Sequence, residues 1–167
     1  MAATFVHEGP WNETTRQHPA TKMMEAITTE FDSTNKLNPK WYAADTSFEM
    51  ADGTKHHGVE TVLEVTKNTY NAMTKHYHEP GSITVTETDD GYELRGKAKL
   101  YGNLADGPPS GKNQVEDSLG RKWDVVIPGD WVNWYVKDDG ADNGMGMLIK
   151  KSRVNAESQV KGWGSGY

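Results

Sequence analysis

Residues 82–104, SITVTETDDGYELRGKAKLYGNL, contain two stretches in which apolar and polar residues alternate. The stretches flank Asp90-Gly91, and an Asp-Gly pair in this position is a strong signal for a β-hairpin. One face of the second stretch carries mostly apolar or small residues: Tyr92, Leu94, Gly96, Ala98 and Leu100. The opposite face is charged, so the pattern predicts an antiparallel hairpin with one buried and one solvated face.

The alternation returns later in the chain and extends the predicted sheet. RKWDVVIPG (121–129), DWVNWYVKDDG (130–140) and GMGMLIKKSRVNA (144–156) have the composition of strands. Residues 105–120 have turn composition and no period, which predicts a long loop inside the sheet that acts as a flap.

Two amphipathic helices are predicted before the hairpin. The first begins at Pro19 and repeats apolar residues at the spacing of one helical face: Ala20, Met23, Met24, Ile27 and Phe31. The second begins near Val59 and repeats this spacing at Val62, Leu63, Thr66, Tyr70 and Met73. A strand over residues 46–50 is predicted between them.

This order of elements indicates an α+β fold. We expect a cone-shaped half-barrel, in which a curved antiparallel sheet wraps over the N-terminal helices and leaves a cavity for a small ligand. Residues 19–157 form this single domain, residues 1–18 a flexible N-terminal arm, and residues 158–167 a C-terminal tail.

The composition excludes several classes of function. The formal charge is −6, from 18 Lys and Arg against 24 Asp and Glu, and no basic run could follow a nucleic acid backbone. The chain has no cysteine, which excludes disulfides and thiolate chemistry. Neither a membrane span nor a signal peptide is apparent, so we expect a cytoplasmic protein that binds neither membranes nor nucleic acids.

Several stretches resemble the SnoaL-like polyketide cyclase group of the nuclear transport factor 2-like superfamily. They are WYAADTSFEMADGTKHHGVETVLEV (41–65) and MLIKKSRVNAE (147–157). Residues 78–104 and 120–136 are similar to a fungal, mostly uncharacterised branch of this group. The resemblance covers roughly residues 20–157, and it implies the cone fold and a homodimer formed through the sheet. It does not imply one chemistry, because this fold hosts isomerases, dehydratases, cyclases and inactive proteins.

Histidines are the first candidates for proton transfer near neutral pH. His76 and His78 are two residues apart in an extended segment, which places both imidazoles on one side. His78 is also the residue most similar in position to the catalytic histidine of scytalone dehydratases. His-x-His can bind metal, but no third ligand follows at a suitable spacing, so we expect no metal and no cofactor. His57 precedes the second helix, where it either lines the cavity rim or shapes the turn.

Carboxylates, amides and aromatic residues complete the predicted site. Asp45 and Asp124 are the candidate acids that assist or orient His78; the alternative is that they are solvated strand ends. In residues 130–136, Trp131, Asn133 and Tyr135 share one face, so Asn133 and Tyr135 are candidates to stabilise an oxyanion and Trp131 to form an apolar wall. Aromatic residues that only fill the core are the alternative. Three further residues, Tyr42, Tyr70 and His76, are predicted to bind substrate.

The sequence favours a cofactor-independent isomerase, cyclase or dehydratase that acts by general acid/base catalysis on a small aromatic or polyketide-type metabolite. A binding protein for a hydrophobic small molecule is one alternative. A dimeric interaction module, whose cavity is filled by its own side chains, is the other.

Overall fold

The computed structural model describes residues 3–156. Seven strands form one curved sheet in the order β1-β4-β5-β8-β9-β2-β3. They are β1 (Ala3–Glu8), β2 (Tyr42–Glu49), β3 (Lys55–His57), β4 (Met73–Glu87), β5 (Gly91–Leu104), β8 (Val125–Lys137) and β9 (Met147–Ala156). A separate two-stranded hairpin consists of β6 (Val115–Glu116) and β7 (Lys122–Trp123). The helices are α1 (Glu13–Gln17), α2 (Pro19–Thr34) and α3 (Val59–Tyr70), with a 3-10 turn at Pro39–Trp41.

The predicted α+β cone is confirmed. The long strands pair antiparallel with one another, as expected: β4 with β5, β5 with β8, and β8 with β9. One pairing differs from the prediction, because β2 runs parallel to β9. This parallel pair joins the segment between the helices to the last strand, and so places β2 on the wall of the cone.

The predicted hairpin is formed by β4 and β5. Gly91 starts β5 where it crosses close to β8, and a Cβ atom there would lie only 1.9 Å from the carbonyl oxygen of Tyr135. Glycine is therefore required by the close approach of two strands. A change of register between Pro80 and Ser82 marks a bulge in β4, and bulges bend a strand.

Helix α2 buries the apolar stripe that was predicted from the helical spacing of its residues. Ala20, Met23 and Phe31 are buried, and Met24 and Ile27 pack against the same core as partly buried side chains. Pro19 occupies the first turn, and Asn35 ends the helix in the left-handed conformation at φ 56°. The helix therefore lies across the concave face of the sheet.

The prediction of a flexible arm is wrong for residues 3–17, which contain regular structure. Strand β1 pairs with β4 along the edge of the sheet, and helix α1 follows it. Asn12 caps α1 by accepting hydrogen bonds from the backbone N–H groups of Thr14 and Thr15. Both elements are too short to show a period, which is why the sequence reads as irregular. The predicted tail at residues 158–167 lies outside the described residues.

The loop at residues 105–120 does not form the predicted flap. Its hairpin lies on the convex side of the sheet, where Trp123 stacks on Tyr77 with ring centroids 6.2 Å apart. Asp117 accepts hydrogen bonds from the Trp123 indole at 2.9 Å and from the backbone N–H groups of Leu119 and Arg121. No residue of this loop lines the cavity described below. Among residues 3–156, no helix is long and apolar enough to cross a membrane.

Candidate functional site

A cavity of about 240 Å³ lies between the helices and the concave face of the sheet. Its wall is mostly apolar, with contributions from Met24, Phe31, Leu37, Phe48, Val62, Ala98, Leu100, Ile127, Trp131 and Val154. The one carboxylate among the described lining residues is Asp130, which is exposed, and no Lys or Arg lines the cavity in this part of the chain. Such a cavity suits a small apolar ligand without a negative charge.

His78 is the polar centre of the cavity wall, and Asp32 holds it in place. Asp32 lies in the last turn of α2, and its Oδ1 atom is 2.6 Å from Nδ1 of His78. The second oxygen, Oδ2, accepts the backbone N–H of His78 at 3.0 Å. The carboxylate therefore binds both the ring and the main chain of this residue, which fixes the orientation of the imidazole.

The pairing with Asp32 determines the tautomer of His78. An ionised carboxylate only accepts hydrogen bonds, so Nδ1 carries a proton, and in the neutral ring Nε2 holds the lone pair. Nε2 lies 2.7 Å from the hydroxyl oxygen of Tyr70, near the end of α3. The Tyr70 hydroxyl therefore donates to His78, and both side chains line the cavity. We call Asp32, His78 and Tyr70 the proton relay.

The pKa values of the two end groups fit these roles. Burial tends to raise the pKa of Asp32, but hydrogen bonds from the side chains of His76 and His78 and from the backbone of His78 outweigh it and hold this pKa at about 2. Burial, with the nearby charge of Asp32, raises the pKa of Tyr70 well above its usual value. At neutral pH, Asp32 is ionised and Tyr70 keeps its proton.

His76 supports the relay from behind. Its side chain has no exposed surface, and its Nδ1 atom lies 2.9 Å from the same Asp32 oxygen that binds His78. The ring packs against Phe31 with centroids 4.5 Å apart and against Tyr70 at 4.8 Å. His76 does not line the cavity.

Asp32, His76 and His78 are residue types that can bind a metal ion. One ligand atom from each of them lies within 4.8 Å of the others. The donors fit a metal poorly, however. Each Nδ1 is at hydrogen-bond distance from Oδ1, so protons already join the three groups. A cation would have to displace both protons. We therefore interpret this cluster as two imidazoles hydrogen-bonded to one carboxylate and not as a set of metal ligands.

A second polar position lies on the sheet. Asn133 of β8 and Ser152 of β9 are opposite each other in register, and both line the cavity. The side chains donate to and accept from no other group among residues 3–156, so they are available to a ligand. Trp131 and Val154 form the next pair on the same face of these two strands, and they provide an apolar wall beside Asn133 and Ser152.

No family model matches the sequence, and no curated protein matches it. Many solved structures resemble the fold, and three of them have the following similarities. The first is a nuclear transport factor 2 (NTF2-like) superfamily protein from Salmonella enterica serovar Typhimurium, with 14% identity, 92% of this chain and 98% of that chain covered, and a TM-score of 0.60. The chain has the NTF2-like fold. A putative scytalone dehydratase from Novosphingobium aromaticivorans is 11% identical in sequence. The match covers 87% of this chain and 86% of that chain, with a TM-score of 0.63. Aln2 from a Streptomyces species is 14% identical in sequence. The match covers 87% of this chain and 92% of that chain, with a TM-score of 0.59.

The NTF2-like cone places half of the predicted site residues at the cavity wall. They are Tyr42, Tyr70, His78, Trp131 and Asn133. His76, predicted to bind substrate, lies one layer behind the wall and contacts Asp32 instead.

The cone places the other predicted residues elsewhere. Asp45 is exposed and pairs with Lys150, and Asp124 accepts hydrogen bonds from the backbone of Leu104 at 2.9 Å and from the Gln114 side chain at 3.1 Å. Asp124 therefore anchors the loop on the convex side. Neither carboxylate lines the cavity. The acid that contacts His78 is Asp32, instead of the predicted Asp45 or Asp124.

Tyr135 and His57 also lie away from the wall of the NTF2-like cone. Tyr135 is 1% exposed and packs in the core cluster, where burial raises its pKa. His57 is exposed at the end of β3, beside Gly58, whose φ of 87° shapes the turn. For His57 the structural interpretation fits better than the substrate-binding one.

Asp32 is the relay residue that the sequence analysis missed. It follows Phe31 and lies four residues after Thr28, and both of these residues line the cavity. A carboxylate beside the apolar stripe of α2 was therefore the available signal. Its partner lies 46 residues away in sequence, however, and no local pattern reports such a contact.

Proposed function

We propose that the protein is a cofactor-independent dehydratase, isomerase or cyclase that acts by proton transfer on a small aromatic or polyketide-type metabolite. The observation that supports this most directly is the proton relay, because it delivers the lone pair of an oriented imidazole and the hydroxyl of a protonated phenol to one apolar cavity. This is the arrangement that general acid/base catalysis needs.

The relay suggests the order of proton transfers. When substrate binds, the Tyr70 hydroxyl turns from His78 to a substrate oxygen, which frees the lone pair on Nε2. His78 then takes a proton from a carbon atom next to a carbonyl group, and Asp32 stabilises the imidazolium that forms. In an elimination, the departing hydroxyl group takes the proton of Tyr70 and leaves as water. His78 then returns a proton to Tyr70 across their 2.7 Å contact. In an isomerisation or cyclisation, the proton returns to the product.

The cavity wall suggests the class of substrate. Phe31, Phe48 and Trp131 offer flat apolar surfaces, and no described cationic side chain is present to bind a carboxylate or phosphate. Asn133 and Ser152 would bind a second oxygen of the substrate, at a carbonyl or hydroxyl group. A flat, uncharged molecule with two oxygen functions fits these features. One structural neighbour is named as a putative scytalone dehydratase, in keeping with the elimination.

The proposal is tested by turnover in relay variants. We would incubate the protein with a panel of uncharged aromatic β-hydroxyketones and polyketide-type ketones, and follow loss of water or isomerisation by liquid chromatography with mass spectrometry. His78→Gln and Asp32→Asn should each lower turnover by about 100-fold or more. His57→Gln and Asp45→Asn make the same chemical changes at exposed positions and should leave turnover intact. Tight binding without product in the unmodified protein, together with equal binding by His78→Gln, would instead support a hydrophobic carrier.

A homodimer through the sheet remains a separate proposal. Val132, Trp134 and Val136 lie on the face of β8 opposite Trp131 and Asn133, and all three are half-buried. An apolar strip on the convex face is a surface that a second copy could cover. Sedimentation at several concentrations tests this, with Trp134→Lys expected to weaken association.

A further inference from the structure

His76 is a buried titratable residue that the proposed mechanism does not use. Its Nδ1 atom and that of His78 both contact Oδ1 of Asp32, at 2.9 Å and 2.6 Å. Its Nε2 atom is buried and has no hydrogen-bond partner among the described residues. An apolar side chain at this position would leave no buried polar atom without a partner. The presence of a histidine therefore needs an explanation.

The contacts of His76 define its hydrogen-bonding state. Since the carboxylate oxygen only accepts, Nδ1 of His76 carries a proton. A second proton on Nε2 would place a charged, unpaired N–H group in the protein interior, which is costly. His76 is therefore a neutral donor to Asp32, with the opposite ring nitrogen unprotonated.

One carboxylate oxygen thus serves two imidazoles. A hydrogen bond from His76 draws part of the negative charge on Oδ1 away from the contact with His78. The protonated form of His78 gains less from Asp32 than it would in an isolated Asp-His pair. His76 also fixes the carboxylate from the side that lies away from the cavity.

We propose that His76 is a positioning residue that keeps His78 unprotonated, and so active as a base, at lower pH than an isolated Asp-His pair would allow. This inference rests on the proposed function of the relay. The titratable groups facing His78 are Asp32 from α2, Tyr70 from α3 and His76 from its own strand, and Tyr42 of β2 interacts with Tyr70. On the neighbouring strand β5, the residues opposite His76 and His78 are Gly102 and Leu100, which do not titrate.

Two substitutions separate the hydrogen bond from the volume of the ring. His76→Asn keeps an N–H donor close to the position of Nδ1, whereas His76→Leu keeps similar bulk without a donor. In the leucine variant, the acid limb of the pH–rate profile should move to higher pH by about half a unit to one unit, with a small change in KM. The asparagine variant should restore most of this shift. A purely structural role would change stability and leave the limb in place.

Nitrogen-15 NMR of the histidine side chains tests the inference without a substrate. In the unmodified protein at pH 7, His76 should show a proton on Nδ1 and none on Nε2. The ring signals of His78 should titrate at higher pH in His76→Leu than in the unmodified protein. An Nε2-protonated His76, or an unchanged titration of His78 in the leucine variant, would overturn the inference.

These readouts separate the two proposals. If the NMR shifts occur but no substrate is turned over, His76 tunes the relay and the proposed catalysis is wrong. If turnover depends on His78 but neither the pH profile nor the NMR titration responds to His76→Leu, catalysis stands and the role of His76 is refuted. The tautomer measurement uses the unmodified chain, so it remains decisive even if the leucine variant does not fold.

Discussion

Tyr70 and His78 belong to different elements, yet their side chains meet at 2.7 Å on the cavity wall. The helix α3 ends at Tyr70 and strand β4 begins three residues later, so the chain reverses between them. This turn brings a phenol and an imidazole together within eight residues of sequence. The contact joins an acid to a base at the place where a ligand would bind.

Tyr70→Phe should lower kcat by about 100-fold, because the variant cannot protonate a leaving group or polarise a carbonyl. KM should change less, since the ring still packs against Phe31 and His76. Steady-state kinetics on a substrate from the panel measures both values. Tyr77→Phe is the matched control, because Tyr77 lies on the convex side beside Arg121. Equal activity of the two variants would remove Tyr70 from the mechanism.

Asp32 should make folding stability depend on pH in acid. Its folded-state pKa is about 2, below its usual value of 3.8. A lowered pKa contributes stability that is complete above the unfolded value and disappears as pH falls through the folded value. Asp32→Asn should therefore lower the free energy of unfolding by about 2 kcal/mol at pH 6, and this difference should shrink between pH 4 and pH 2.

Urea unfolding at several pH values checks this expectation. Asp45→Asn is the comparison variant, because its carboxylate is exposed and pairs with Lys150 at the surface. It should lose little stability at any pH. A stability difference for Asp32→Asn that stays constant down to pH 2 would show that the carboxylate charge is not what stabilises the fold.

Asn133→Ala should weaken substrate binding more than it slows the chemical step. The amide faces the cavity opposite Ser152 and lies on a different strand from the relay, so its loss should raise KM by about 10-fold with a smaller effect on kcat. Asn155→Ala removes the same group from an exposed position on β9. If kcat fell for Asn133→Ala while KM stayed constant, Asn133 would act in the transition state instead.

Asp117→Ala should destabilise the protein without affecting the cavity. Its carboxylate accepts hydrogen bonds from the Trp123 indole and from two backbone N–H groups, and its side chain has no exposed surface. Removing these acceptors should cost about 2 kcal/mol of unfolding free energy. Thermal unfolding measures the loss, and Glu116→Ala, at an exposed neighbouring position, should cause little change. Reduced ligand binding by Asp117→Ala would link the convex loop to the site.

Local patterns in the sequence were sufficient to predict the α+β fold class and the buried faces of the long elements, but not strand β1 or the parallel pairing of β2 with β9. The alternation in residues 82–104 and the stripe of α2 report on which face of an element is buried, and burial on one face is a local property. The same alternation correctly separated Asn133 from Trp134. It could not separate Asn133 from Tyr135, which share a face, because depth in the cone depends on what packs above each residue. Asn133 meets the open cavity, whereas Tyr135 lies in the packed core.

Only one member of the proposed catalytic pair, His78 and Asp32, could be predicted from the sequence. His78 was accessible because histidine is uncommon and its position before the hairpin is distinctive. Its carboxylate partner depends on how α2 docks onto β4, which is set by the whole core. Asp45 and Asp124 were the acids nearest to predicted strands, but they serve an exposed ion pair and a loop anchor.

The docking of α2 onto the sheet has a further consequence. Asp32 comes from the helix and both histidines come from β4, so the relay exists only while these two layers remain in contact. Strand pairing by itself does not require that contact. On gradual heating, separation of the helix from the sheet would break the relay while the β-structure persisted, and the proposed activity would then report on the attachment of one helix.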